Sequence, residues 1–130
     1  ELLRLLQDGV SGELNRLRRE RSQREARPIT DAKHFIQQHY QESLRLEDVS
    51  NAVGFNATYF SAMFKKETGQ NYKAYLTSIR MEEAIKLLRT TDLKTYEIGE
   101  KVGYNNVRRF VDAFKQIYNV SPMEYRKSLI

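Results

Sequence analysis

The chain has 130 residues, with 22 Lys and Arg against 17 Asp and Glu and a formal net charge of +5, which bounds it to one domain or two very small ones. With no Cys and two His, it lacks the material for a disulfide, a thiolate zinc site or a cysteine nucleophile, and has too little imidazole for a metal centre or a histidine-based triad. No stretch approaches the roughly 18 consecutive apolar residues of a membrane span, and the opening Glu1-Leu2-Leu3-Arg4 has neither an initiator Met nor a signal-peptide core, so we expect a cytoplasmic piece of a longer protein, which can itself carry a membrane anchor elsewhere.

In chain order, Leu3, Leu6, Val10, Leu14 and Leu17 recur at three- and four-residue steps, interrupted by Gly9 and Gly12, and a charged stretch follows from Arg18 to Arg27. Residues 1–28 read as a connector from an upstream domain, with a short coiled-coil contact as the alternative. Pro28 is expected to stop a helix arriving from the left, because the residue before a proline is pushed out of the α region. Ala32, Phe35, Ile36, His39 and Tyr40 share one face of a first helix with Thr30 as N-cap, which assigns His39 to core packing. A short helix from Leu46 to Val53 turns Leu46, Val49, Ala52 and Val53 inward and ends at Gly54, where glycine most easily takes a left-handed conformation. Asn56 caps a third helix with Tyr59, Phe60, Met63 and Phe64 inward, ending at Gly69. Asn71 caps a longer one, about Tyr72 to Arg89, carrying Tyr75, Leu76, Ile79, Ala84, Ile85 and Leu88 at helical spacing. A fifth runs from Thr95 to Gly103, a sixth opens at Asn105 or Asn106 and reaches Tyr118, and Ser121-Pro122-Met123-Glu124 opens a seventh as a capping box with proline in first position. No period-2 run of β-branched residues occurs, so the fold class is all-α.

An internal repeat organises these helices. Val53-Gly54-Phe55-Asn56 returns as Val102-Gly103-Tyr104-Asn105, Phe60 and Phe64-Lys65 return as Phe110 and Phe114-Lys115, and Tyr75 matches Tyr125. Each copy is a short helix, a tight glycine turn and a helix with an aromatic inner face, the helix-turn-helix pattern. The helix between the copies, at ~18 residues, is roughly 27 Å long, close to the ~34 Å between successive major-groove faces on one side of B-DNA. One chain can thus fill two adjacent major-groove segments.

At these residues the chain resembles the AraC-type family of bacterial transcription regulators. The resemblance is carried by Leu46-Glu47-Asp48-Val49-Ser50 to Gly54-Phe55, by Tyr59-Phe60-Ser61-Ala62-Met63-Phe64-Lys65-Lys66-Glu67-Thr68-Gly69, by Ile79-Arg80-Met81-Glu82-Glu83-Ala84 and by Val120-Ser121-Pro122-Met123-Glu124-Tyr125-Arg126. It implies a seven-helix DNA-binding domain over residues 29–130, with a first helix-turn-helix at 30–70, a linker helix at 71–90 and a second helix-turn-helix at 94–128. It further implies double-stranded DNA as partner, RNA polymerase as a candidate second one, an upstream sensory or receiver domain, dimerisation through that upstream region, and no cofactor.

The family reads bases from the exposed face of the second helix of each unit. Matched residue by residue, these positions are Thr58, Ser61 and Ala62 in the first copy and Val107, Arg108, Val111 and Asp112 in the second, with Arg109 between them. Tyr59 and Asn106, near the starts of the two helices, join the candidate contacts, Tyr59 also falling at inward spacing. Thr58 and Ser61 suit base edges, and Ala62 suits a thymine methyl. The second copy departs from the family in Arg109 before Phe110, Val111-Asp112 after it, and Asn119 at a usual glycine, so its sequence preference does not carry over. Arg108 and Arg109 are electrostatically misplaced at a positive helix end, which favours a phosphate or guanine partner. Lys65, Lys66 and Lys115 follow the inner phenylalanines as candidate phosphate contacts. Asp112 either accepts from cytosine N4, orients an arginine, or pairs with one inside the protein.

An enzyme is excluded by the absence of a phosphate loop and of paired catalytic groups. A helical protein-interaction module is the alternative, recognisable by an exposed apolar stripe and little salt-sensitive DNA affinity. RNA binding is disfavoured, since the aromatics sit at inward spacing and no sheet is available to display them. The choice between activator and repressor stays open.

Overall fold

The computed structural model describes residues 27–130, which form helices and short connections without a strand. The helices are α1 (27–39), α2 (Leu46–Val53), α3 (Ala57–Thr68), α4 (Tyr72–Thr90), α5 (Thr95–Lys101), α6 (Val107–Tyr118) and α7 (Pro122–Ser128). The seam at Leu3 to Leu17, and the coiled-coil reading attached to it, lie outside the described residues.

Side-chain caps fix most helix starts. The Asn56 Oδ1 accepts from the Tyr59 N–H at 2.8 Å, Asn71 Oδ1 from the Ala74 N–H at 2.8 Å, Asn106 Oδ1 from the Arg108 N–H at 2.8 Å, and Ser121 Oγ from the Glu124 N–H at 3.1 Å, one arm of the expected box. The first helix of each repeat is held the other way round. The Arg45 N–H donates to Asp48 Oδ2 at 2.9 Å and the Lys94 N–H to Glu97 Oε1 at 3.1 Å, equivalent positions in the two copies. Gly69 and Asn119 end α3 and α6 with φ of 76° and 64°, and their N–H groups donate to the carbonyls of Lys65 and Lys115. Asparagine replaces glycine at Asn119 because its short polar side chain tolerates the left-handed region.

Two cores share one helix. Ile29, Ala32, Ile36, Val49, Phe60, Met63 and Phe64 form the first with Tyr72 and Leu76 of α4; Ile98, Val102, Phe110 and Phe114 form the second with Met81, Ala84 and Leu88 of the same helix. The step from Leu76 to Met81 is five residues, which at 3.6 residues per turn rotates the apolar face by about 140°. α4 therefore has no single apolar stripe: each half grips a different three-helix unit on a different side. Tyr40, at the end of α1, touches both cores.

Several expectations need correction. Arg27 and Pro28 are already helical, so Thr30 lies inside α1 and is not its cap, and the residue before the proline is in the helical region against expectation. Ala52 is exposed, while Val49 and Ser50 are buried and Leu46 and Val53 pack partly buried against the first core. His39 is only half-buried, its ring tilted against Phe35 with centroids 4.3 Å apart and with its Nδ1 3.0 Å from Glu42 Oε2. Tyr59 is 53% exposed, lying over Phe55 at the α2–α3 turn and not in the core. α5 ends at Lys101, leaving Val102 as its cap and Gly103 in the turn.

Candidate nucleic-acid interface

The two helix-turn-helix units are built by the same local rules. In each, the residue after the turn glycine returns a hydrogen bond to the first helix: the Phe55 N–H to the Ser50 carbonyl at 2.9 Å and the Tyr104 N–H to the Gly99 carbonyl at 2.8 Å. Ser50 and Gly99 are equivalent, buried and small. At Gly99 the reason is direct, since a Cβ there would stand 3.1 Å from the Phe110 ring; the first helix crosses the second so closely that only a small residue fits. Sequence reading passed over this pair.

Phe60 and Phe64 in α3, and Phe110 and Phe114 in α6, are fully buried. Because they occupy one face of each helix, the other face is turned outward. On α3 this leaves Thr58, Tyr59, Ala62, Lys65 and Lys66 exposed and Ser61 partly so. On α6 it leaves Asn106 at the cap, Val107, Arg108, Arg109, Asp112 and Lys115 exposed and Val111 partly so. Asn106 differs from the rest, because its side chain is already committed to capping α6.

The charge distribution along these helices is uneven. α2, α5 and α7 each carry acids in their first turn, where a carboxylate offsets the positive end of the helix dipole: Glu47 and Asp48, Glu97, and Glu124. α3, α4 and α6 carry none. α6 instead presents Arg108 and Arg109, and among the described residues no ion pair joins either of them to Asp112 or to any other acid. A helix start with cations and no acid is a site that favours an anion from outside. Lys65, Lys66 and Lys115 stand in the last turns of α3 and α6, a placement that the helix dipole also favours.

Arg80 of α4 joins the two units, a role that sequence reading missed. Its Nε donates to the Tyr40 carbonyl and its Nη2 to the Glu42 carbonyl, both at 2.9 Å, and its guanidinium lies over the Tyr104 ring, 5.2 Å from the centroid. It thereby ties the end of α1 to the turn of the second unit. The available signal was its position, a cation between the two rotated apolar faces of α4 at Leu76 and Met81. A separate cluster of exposed apolar side chains, Tyr96, Val107, Met123 and Ile130, borders a groove between α5, the start of α6 and the C-terminus. That is the feature required by the interaction-module alternative. Among the described residues no helix is long and apolar enough to cross a membrane, and no cluster of His, Cys, Asp and Glu is suited to a metal.

Comparison with known proteins gives consistent matches. A helix-turn-helix domain family model matches residues 49–128. The C-terminal domain of AraT, a response regulator from Geobacillus stearothermophilus, superposes with a TM-score of 0.76 at 39% identity, covering 78% of this chain and 84% of that one. The xylose operon regulatory protein of Escherichia coli is 32% identical over 112 residues, 82% of this chain and 29% of its own length. The HTH-type transcriptional regulator YtdP of Bacillus subtilis, itself uncharacterised, is 32% identical over 94 residues, 72% of this chain and 12% of its own length. The chain thus spans less than a third of these two relatives. With a duplicated helix-turn-helix on one linker helix, and with relatives of this kind, the chain belongs to the AraC-type family of helix-turn-helix transcription regulators.

Proposed function

We propose that the chain binds duplex DNA sequence-specifically, with α3 and α6 in two adjacent major-groove segments, as the output unit of a longer signal-controlled regulator. The observation that carries this reading is the pair of equivalent outward faces, one beginning with Arg108 and Arg109 at a helix start that holds no acid. α4, at 19 residues, is roughly 28 Å long, a span suited to two faces about one helical turn apart on DNA. Thr58, Ser61 and Ala62 meet base edges and methyl groups in one segment; Val107, Arg108, Arg109, Val111 and Asp112 do so in the other. Lys65, Lys66 and Lys115 neutralise phosphates, and Tyr59 and Asn106 flank the two helix starts. The likeness to the C-terminal domain of the response regulator AraT and to the xylose operon regulatory protein supports a place downstream of a receiver or sensory domain; RNA polymerase and a second copy are further partners of this reading.

The test begins with a duplex that the whole chain enriches from a random pool. The expected footprint covers about two helical turns. Arg108→Ala or Arg109→Ala should weaken binding by ~1–3 kcal/mol where the lost contact is bidentate to guanine, and Lys65→Ala and Lys115→Ala should each flatten log K against log salt by about one unit. Absence of salt-sensitive duplex affinity would sink this reading and leave the apolar groove by Tyr96 and Met123 as the working surface.

A further inference from the structure

Between the two units lies a cleft of about 920 Å³. Arg45 reaches it from the start of α2, Lys73 and Arg80 from the first half of α4, Ser61 from α3, and Asn106 and Arg109 from the start of α6. Four cations thus line the cleft, and no Asp or Glu does. The Arg80 guanidinium is held by the Tyr40 and Glu42 carbonyls, neutral acceptors that orient its charge without cancelling it. Arg45, Lys73 and Arg109 have no carboxylate partner among the described residues. Moreover, α3, α4 and α6, the helices without a first-turn acid, all border this cleft.

Cations gathered in one cleft with no acid among them focus a positive potential that attracts an anion. We infer that the cleft seats the sugar-phosphate strand that crosses between the two major-groove segments, with Arg45 and Lys73 each neutralising a phosphate. The inference rests on the duplex-binding reading and adds a third contact between the two base-reading helices. It follows that the middle of the site is bound through its backbone, independently of its sequence, because phosphate contacts position a protein without specifying a base. Since the two walls belong to different units, the seated strand bridges them, as Arg80 does within the protein.

The test uses the whole chain and the duplex that it enriches from a random pool; if no duplex shows salt-sensitive binding, the duplex reading fails and this inference falls with it. Where the wild type binds, Arg45→Ala and Lys73→Ala should each flatten log K against log salt by about one unit, and by the same amount on selected and scrambled duplexes. Lys73→Arg should restore the slope. Wild-type slopes in both alanine variants, at unchanged helicity and melting midpoint, would overturn the inference. A second measurement needs only wild-type protein: replacing the central phosphates by neutral methylphosphonates should lower the slope as the variants do, and an undiminished slope would overturn it. Inorganic phosphate, added at constant ionic strength, should compete no better than chloride. Competition that Lys73→Ala abolishes would assign the cleft to a free anion and overturn the strand assignment.

Discussion

Gly54 and Gly103 fill equivalent places in the repeat, yet their surroundings differ. Both have positive φ, 82° and 109°, but a Cβ on Gly54 meets nothing within 4 Å, whereas one on Gly103 stands 2.6 Å from the Tyr40 carbonyl oxygen and 2.8 Å from Arg80 Nε. Gly54→Ala should therefore cost only the left-handed strain of an L-residue, about 1–2 kcal/mol. Gly103→Ala adds a clash with a backbone atom that has no room to yield, and expels Arg80 from its two carbonyls, for a total of about 2–5 kcal/mol. Urea titration of the two variants checks this, and equal losses would mean that the contact between the units carries no weight. Sequence alignment makes the two glycines identical, because the turn they form is the same; the difference lies in what packs against the turn, which periodicity does not encode. Ser50 and Gly99 were hidden for a similar reason, since a small residue in a helix gives no signal until the crossing helix is in place.

At the level of elements, the residues that cap helices and line their inner faces were legible. Asn56, Asn71, Asn106 and Ser121 each open a helix as their side chains suggest, and the four buried phenylalanines follow from spacing alone. The starts of α2 at Leu46 and of α5 at Thr95 were read from the sequence, but their caps were not, because Arg45 and Lys94 are poor capping residues and the cap is supplied from inside the helix by Asp48 and Glu97. Tyr59 misled because an aromatic at inward spacing is ordinarily core, whereas a helix as short as α2 covers only part of α3. The connections that clamp the units were invisible, and they differ between the copies. The Tyr72 hydroxyl donates to the Leu44 carbonyl at 2.8 Å, while at the equivalent Leu93 carbonyl the donor is Arg126 Nη1 at 2.6 Å, with Arg126 Nη2 on Thr91 O at 3.0 Å. Burial is the main cause that pushes the Tyr72 phenol up to about 12, and burial also raises Tyr75 in the first unit and Tyr118 in the second. A phenol with a raised folded pKa stabilises fully below its unfolded value near 10, and that stability is lost as pH rises from there through about 12. An arginine does not titrate in that window. The first unit should therefore open first in alkali, with the methyl resonance of Met63 in its core losing its native shift at lower pH than that of Met81 in the other. Tyr72→Phe should destabilise the first unit at neutral pH by about 0.5–1.5 kcal/mol and reduce its sensitivity above pH 10. Simultaneous loss of both methionine signals would show that α4 couples the two cores into one cooperative unit.

For the whole molecule, the governing quantity is how many reading heads act together. Two already share one chain, joined by a continuous helix and by the Arg80 clip, so binding of the first places the second at its own groove without a further encounter. The match covers 29% of the xylose operon regulatory protein and 12% of YtdP, so most of each of these relatives lies outside the part that resembles this chain. In sequence, the seam at Leu3, Leu6, Val10, Leu14 and Leu17 precedes α1, a natural point of attachment for a further part. Pairing two chains there would let the second bind at an effective concentration reaching about a millimolar for a short linker, and affinity for a paired site would rise with no new base contact. The expected result is that residues 1–130, fused in register with the seam to an unrelated dimeric helix, bind a paired site about 10²–10⁴-fold more tightly than a single site. The gain should depend on the spacing of the two sites, since a connection that does not span them contributes nothing. A signal then needs only to alter that spacing to switch occupancy. Equal affinity for paired and single sites, across several linker lengths, would mean that pairing upstream of α1 does not set affinity and that the two heads within one chain suffice.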